Sequence, residues 1–353
     1  MSTQDWKPPK GTLIHLSSER FDSGIIKRLD AVQFQPTDRP IEDRFSVSIG
    51  TEDGNTVVIM GVYDGHGGSE TAEYIAQELP PRIATSLGPT PAKDEMAVIV
   101  EQFQTLDREI QTTFRKSFGF TRSMPFKNQI INHLLSQESY RLNALRAKAG
   151  SAALIARINA KAIQLANVGD CRAVMTTRHP DTTDISADQL TNDHNTHNPE
   201  EVSRLRIEHP GEEDTVIMQN RVLGRLGTTR SFGDVYYKEP DTWFAREVMG
   251  HSSLTPKHGL SWKAQSNVLF GYYRSPPYLT ATPEMSEIPL VSGSILVLAS
   301  DGLWGLVENR WVATNIWRGV DEGHENLGLF LLQKLHDEGH NPGDDVTLLV
   351  IQL

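Results

Sequence analysis

The stretch Thr56-Val-Val-Ile-Met-Gly-Val-Tyr-Asp-Gly-His-Gly-Gly68 decides how this chain is read. From Val57 to Tyr63 it is apolar apart from Gly61 and rich in β-branched residues, the pattern of a buried strand. The strand halts at Asp64-Gly-His-Gly-Gly68, and a helical pattern opens with Ser69-Glu-Thr-Ala-Glu-Tyr-Ile-Ala. A carboxylate and an imidazole therefore stand at a strand end, on a turn whose glycines let backbone atoms approach a ligand closely. From there the carboxylate reaches a metal, and a glycine carbonyl beside it adds a second oxygen. Hard cations such as magnesium and manganese prefer that donor set. The plainer alternative is a tight strand-to-helix turn with Asp64 as a helix cap.

The bulk composition narrows the function classes. With 353 residues, 38% of them hydrophobic, the chain is long enough for one large domain or two ordinary ones with a sizeable core. A net charge of −11 argues against nucleic acid as the main partner. The single cysteine, Cys171, allows no intramolecular disulfide, suits a reducing compartment and reads as a small core residue. No apolar run approaches the ~20 residues needed to cross a membrane. The opening Met1-Ser-Thr-Gln-Asp-Trp-Lys-Pro-Pro-Lys10 has no signal-peptide core, and with Asp5 and no arginine before Arg20 it makes a poor transit peptide. The expected setting is intracellular.

Working outward, residues 1–35 read as an extended lead-in and 36–353 as a single domain. Phe45-Ser-Val-Ser-Ile49 alternates as a half-exposed strand, and Thr51-Glu-Asp-Gly-Asn55 turns it into the organising strand. Helical spacing covers 69–86, 94–117 and about 126–148, with Val98, Phe103, Leu106, Ile110 and Phe114 on one core face. Ser151–Ile158, Ala162–Val168 and Arg172–Met175 read as strands. Residues 178–200 read as a solvated loop, in which His194 and His197 are loop histidines rather than metal ligands. Asn198 caps a helix starting at Pro199. Residues 236–280, aromatic and proline-rich with no clean period, read as a flap or insertion. Ser294–Ala299 is another apolar strand, 308–318 and 325–338 are helices, and 343–351 closes the chain as a strand.

Three apolar strands thus carry acids at their ends: Asp64, Asp301, and the pair Asp344-Asp345. A fourth acidic pair, Glu42-Asp43, precedes the Phe45 strand. Carboxylates repel one another, so gathering them without cations is costly. If the ends converge, two cations ~3.5–4 Å apart explain the pattern, sharing a hydroxide aimed in line at a phosphorus atom.

In order along the chain, Asp64-Gly-His-Gly-Gly68, Asn167-Val-Gly-Asp-Cys-Arg172, Gly227-Thr-Thr-Arg-Ser-Phe-Gly-Asp234, Asp301-Gly-Leu-Trp304 and Asp344-Asp-Val-Thr347 resemble the successive motifs of the metal-dependent, type 2C serine/threonine protein phosphatases. The resemblance runs from about Pro40 to Leu353. Pro40-Ile-Glu-Asp-Arg44 and Pro276-Pro-Tyr-Leu-Thr-Ala-Thr-Pro-Glu284 look closer to the pyruvate dehydrogenase phosphatase branch.

The resemblance implies an α/β sandwich (α-β-β-α): two mainly antiparallel sheets face to face, helices outside, a dinuclear metal site at one edge. It implies hydrolysis of phosphoserine and phosphothreonine in proteins by a metal-bridging hydroxide, with no phosphoenzyme intermediate. It also implies a phosphoprotein partner and a monomer, and the branch resemblance sets mitochondrial matrix beside cytoplasm as the compartment. Two magnesium or manganese ions would be held by Asp64 between them, with Glu42 and the Gly65 carbonyl on one, and Asp301 and Asp344 on the other. His66 would protonate the leaving alkoxide. Asp170 matches an acid that helps hold a third, looser ion. Arg230 and Asp234 read as a structural ion pair, and Trp304 as core.

Three positions depart from the family pattern. The arginine expected four residues before Glu42 is Asp38, with Arg39 one residue out of register. The Asp-Gly-x-Trp-Asp motif ends in Gly305, which removes one ligand of the third ion. The usual Asp-Asn pair is Asp344-Asp345. The absent arginine and Gly305 keep a catalytically weak or inactive phosphatase-like binding protein as the alternative; a metal-dependent hydrolase of small phosphorylated metabolites is a third reading.

Overall fold

The computed structural model describes residues 8, 10–21, 25–52, 54–88, 94–179, 184–240, 245–254 and 272–353. In chain order the strands begin β1 (Thr12–Arg20), β2 (Arg28–Gln35), β3 (Arg44–Glu52), β4 (Asn55–Tyr63) and the short β5 (Gly65–His66). Four helices follow: α1 (Glu70–Leu87), α2 (Glu95–Phe118), α3 (Lys127–Leu135) and α4 (Glu138–Lys148). Next come β6 (Gly150–Ser151), β7 (Ala153–Ile158), β8 (Ala162–Val168), β9 (Arg172–Thr176), β10 (Asp188–Gln189) and α5 (Pro199–Glu208). A small hairpin, β11 (Ile217–Met218) and β12 (Arg221–Val222), leads to β13 (Phe232–Gly233) and α6 (Val235–Lys238). The chain ends with β14 (Glu284–Pro289), β15 (Ile295–Ala299), α7 (Asp301–Trp304), α8 (Asn309–Asp321), α9 (Leu327–Asp337) and β16 (Val346–Gln352).

Two antiparallel sheets carry the fold, one in the order β1-β2-β16-β15-β9-β10 and the other β14-β8-β7-β4-β3. The two-residue period of a strand sorts their side chains between layers. Val58, Met60 and Val62 share the core between the sheets with Leu296, Leu298, Leu349 and Ile351. Val57, Ile59 and Tyr63 turn the other way, into the layer built with α1 to α4. On the far side Ile295, Val297 and Ala299 pack with Val312, Ile316 and Leu331 of α8 and α9. The result is the expected α-β-β-α sandwich. Trp304 lies in that outer core, as read, with its indole N–H on the Ala299 carbonyl at 3.0 Å.

Some local readings change. Residues 12–35 are no lead-in, because β1 and β2 pair from Thr12↔Gln35 to Arg20↔Arg28 and β2 pairs onward with β16. Asp30, Gln33 and Gln35 are buried within β2 and break the apolar signal that would have marked it. The 126–148 helix is two helices, split at Ser136-Gln137 where Gln137 is extended (φ −92°, ψ 129°). His194 is buried, not solvated, and its Nε2 meets Glu284 at 2.9 Å; His197 is exposed. Much of the 236–280 segment lies outside the described residues. Its two described ends are joined by the Tyr278 N–H on the Tyr237 carbonyl at 2.9 Å.

Asn198 caps α5 by accepting the Glu200 N–H at 2.9 Å. One turn in, the buried Glu201 carboxylate accepts from Arg230 at 2.6 Å, Arg204 at 2.7 Å and the Thr229 hydroxyl at 2.6 Å. Arg230 and Asp234 are therefore not partners of each other, contrary to the sequence reading. Burial alone would raise the Glu201 pKa; the Arg230, Arg204 and Thr229 hydrogen bonds outweigh it and hold the carboxyl well below its ordinary 4.5. A carboxylate with a depressed folded pKa adds stability above its unfolded pKa and loses it as pH falls toward the folded value. Glu201→Gln is expected to lower unfolding stability at pH 7 by about 2 kcal/mol. In urea titrations the gap to wild type should narrow once the pH is taken below about 4.

Candidate active site

Strand pairing brings the acids to one edge of the sandwich. Arg44 pairs with Tyr63, so Glu42 and Asp43, just before β3, lie beside Asp64, just after β4. In the other sheet Ala299 pairs with both Leu348 and Arg172. That register sets Asp301, past β15, beside Asp344 and Asp345 ahead of β16, and beside Asp170 in the β8–β9 turn. The two groups touch where the Asp301 N–H donates to Asp64 Oδ2 at 3.3 Å. Gly65 is required by close approach: a Cβ there would lie 2.3 Å from the Glu42 carbonyl oxygen.

The electrostatics of this edge are dominated by like charge. Burial, then the carboxylates of Asp301, Asp43, Asp170 and Asp344, push the Asp64 pKa well above the usual range. Asp170 is pushed up to about 7 by burial and next by Asp301, although Asn195 donates to it at 3.3 Å. Asp301 is raised by burial and Asp344, and Glu42 by burial. Asp43 is pushed up to about 8 by burial. Such a gathering of anionic oxygens fits hard cations, whose charge would offset the repulsion. Among the described residues no three His, Cys, Asp or Glu side chains are arranged to hold an ion by themselves. Magnesium, which keeps several waters, does not call for an all-protein cage.

His66 lies at the same edge. Its Nε2 meets Asp234 Oδ2 at 2.7 Å. Burial disfavours the charged imidazole, but Asp234, then Asp170 and Glu42, override it and raise the His66 pKa. Beside the acids opens a cleft of about 1000 Å³ lined by Thr37, Asp38, Arg39, Glu42, Gly67 and Asp344, among others. Arg39, out of register in the sequence, is thus on the cleft wall.

Sequence reading missed several contacts that shape this edge. The Asp345 carboxylate accepts the Glu42 N–H at 2.6 Å and the Gln35 side-chain amide at 2.5 Å, so it anchors the Glu42 backbone. Asp193 adds negative charge near Asp170 and Asp301 while paired with Arg172. Asp234 is the partner of His66. Each of these contacts spans tens to hundreds of residues, and nothing local in the sequence announces it.

A family model described as protein phosphatase 2C matches residues 28–344. The chain belongs to the protein phosphatase 2C family, the metal-dependent serine/threonine protein phosphatases. It is 32% identical to a protein phosphatase 2C homolog of Schizosaccharomyces pombe, over 86% of this chain and 70% of that one. It is 28% identical to the human mitochondrial protein named pyruvate dehydrogenase (acetyl-transferring) phosphatase 2, over 84% of this chain. The Saccharomyces cerevisiae mitochondrial phosphatase 1 of the same name is 29% identical over 84% of this chain. The chain spans 64% and 52% of the lengths of those last two relatives. A Toxoplasma gondii serine-threonine phosphatase 2C structure shares the fold, with a TM-score of 0.57 and 15% identity over 98% of this chain and 99% of that one.

If mutual repulsion loads Asp64, removing its charge relieves the metal-free protein. Asp64→Asn is expected to raise the thermal midpoint of chelator-treated protein by about 3 °C. It should also abolish the stabilisation that magnesium or manganese gives wild type. Differential scanning fluorimetry reads both.

Proposed function

We propose that this chain hydrolyses phosphoserine and phosphothreonine in proteins by direct attack of water, with no phosphoenzyme. The observation that carries this reading is the convergence of Asp64, Asp301, Asp344, Glu42 and Asp170 beside a cleft that also holds Arg39. In this reading Asp64, Glu42, the Gly65 carbonyl, Asp301 and Asp344 would hold the cations, and Asp170 would help hold a further, weaker one. When bound, the cations supply Lewis acidity and a water made nucleophilic near neutral pH.

The remaining roles belong to the chain itself. Arg39 takes the phosphate oxygens through its guanidinium, in place of the arginine that Asp38 replaces. The glycines of Gly65-His-Gly-Gly68 leave the backbone open to the approaching phosphoester. His66 delivers a proton to the departing serine or threonine oxygen. The chain acts as a monomer on a phosphoprotein. Relatives named as mitochondrial pyruvate dehydrogenase phosphatases support a mitochondrial setting and a dehydrogenase-type phosphoprotein as its substrate class.

Phosphate release from a phosphothreonine peptide, titrated with magnesium and manganese, tests the reading. Metal-dependent release that Asp301→Asn abolishes is expected; no release from folded protein at any metal concentration would overturn the protein-phosphatase reading and leave the binding-protein and small-metabolite alternatives. Arg39→Ala should raise KM about tenfold with a smaller change in kcat. An equal fall in kcat would place Arg39 on the transition state instead.

A further inference from the structure

The His66 side chain is held by a device that the proposed chemistry does not by itself require. A third, three-stranded sheet runs β13-β6-β5, with His66 paired to Gly150 and Gly150 paired to Gly233. Asp234 follows Gly233 in a left-handed conformation (φ 48°), uncommon for a residue with a side chain and typical of strained functional positions. Its side chain folds back over Gly150 to meet His66. A Cβ at Gly150 would lie 2.1 Å from Asp234 Oδ2 and 2.2 Å from His66 Nε2. The contact therefore occupies the space that a side chain at 150 would take.

The loop that carries Asp234 is fixed from several sides. Asp107 on α2 accepts the Gly233 N–H at 2.9 Å and the Lys238 ammonium at 2.8 Å. Lys238 also donates to the Ser231 carbonyl at 2.7 Å, and the Asp234 N–H donates to Ala149 at 2.9 Å. Asp234 itself is buried, with Ser231 Oγ donating to Oδ2 at 2.7 Å. Its Oδ1 is buried and makes no hydrogen bond among the described residues. Lys238 is taken up by Asp107, so among the described residues His66 is the ion-pair partner of Asp234. A buried carboxylate with one such partner constrains that partner strongly.

We propose that Asp234 is the positioning residue for His66, fixing the imidazole through Nε2 so that Nδ1 faces the departing oxygen. A carboxylate only accepts, so Nε2 carries the hydrogen toward Asp234 and Nδ1 is the atom left for the substrate. As water's oxygen bonds to phosphorus and gives up a proton to solvent, the bond from phosphorus to the serine or threonine oxygen breaks. That oxygen takes its proton from Nδ1, and the ring is left neutral with Nε2–H still on Asp234. Solvent restores the Nδ1 proton. The proposal rests on the phosphatase reading above, with His66 as the acid.

The test exploits leaving groups. A phosphothreonine peptide releases an alkoxide that needs a proton, whereas p-nitrophenyl phosphate releases a phenolate that does not. His66→Ala, Asp234→Asn and Gly150→Ala are compared with wild type on both esters, metal-loaded, with folding checked by circular dichroism. All three are expected to lose about 10–100-fold more kcat on the peptide than on the aryl ester. Gly150→Ala reaches the contact from another strand, so the test stands even if Asp234→Asn fails to fold. Selective loss in His66→Ala with equal losses on both esters in the other two would overturn the positioning role and leave the phosphatase reading intact. Wild type that hydrolyses neither ester would overturn both.

Discussion

Like-charge repulsion between buried carboxylates is the constraint on which the rest of this structure depends. Asp64, Asp301, Asp170, Asp344 and Glu42 are brought to one edge by strands whose pairing is fixed by two apolar cores. Slipping any of those strands by one residue would turn its core face to the wrong side, so the register that buries Val62 and Leu298 also fixes where the acids fall. The hydrophobic sandwich stabilises the fold, and part of that stability offsets the repulsion at its rim. That balance gives bound cations a double effect, since charge that organises substrate also relieves the protein.

Around this rim the polar groups divide into those left open to a ligand and those that hold the frame. Asp345 is of the second kind: its oxygens accept from the backbone of Glu42 and Asp43 and from Gln35. The extra negative charge that Asp345 brings is thereby met by N–H groups, although the residue also lines the cleft. Glu201 plays a similar part below the Arg230 loop, and Asp107 below the Asp234 loop. Each is an acid held by a structural partner.

The sequence carried the rim far more clearly than its supports. Val57–Tyr63 and Ser294–Ala299 are strands buried on both faces, and such strands show as continuous apolar runs that end abruptly at their acids. The five motifs around these acids made the family legible before any coordinates. Strand β2 was not legible, because the buried Asp30, Gln33 and Gln35 hide its alternation; besides near partners, each has one far along the chain, in Leu327, Thr347 and Asp345 respectively. His194 failed for the same reason: polar neighbours signal a solvated loop, while its burial depends on Glu284. Asp234 was visible as an acid, yet its pairing with His66 rests on the absence of a side chain at Gly150, which only three-dimensional register reveals.

The central claim is that cations belong among these carboxylates. Crystals grown with manganese, measured for anomalous scattering, address it without recourse to activity. The account predicts anomalous peaks about 2.0–2.2 Å from oxygens of Asp64 and of Asp301, Asp344 or Glu42, by analogy with hard-cation distances. Crystals that bind manganese elsewhere, or hold none at this edge at millimolar concentration, would contradict it.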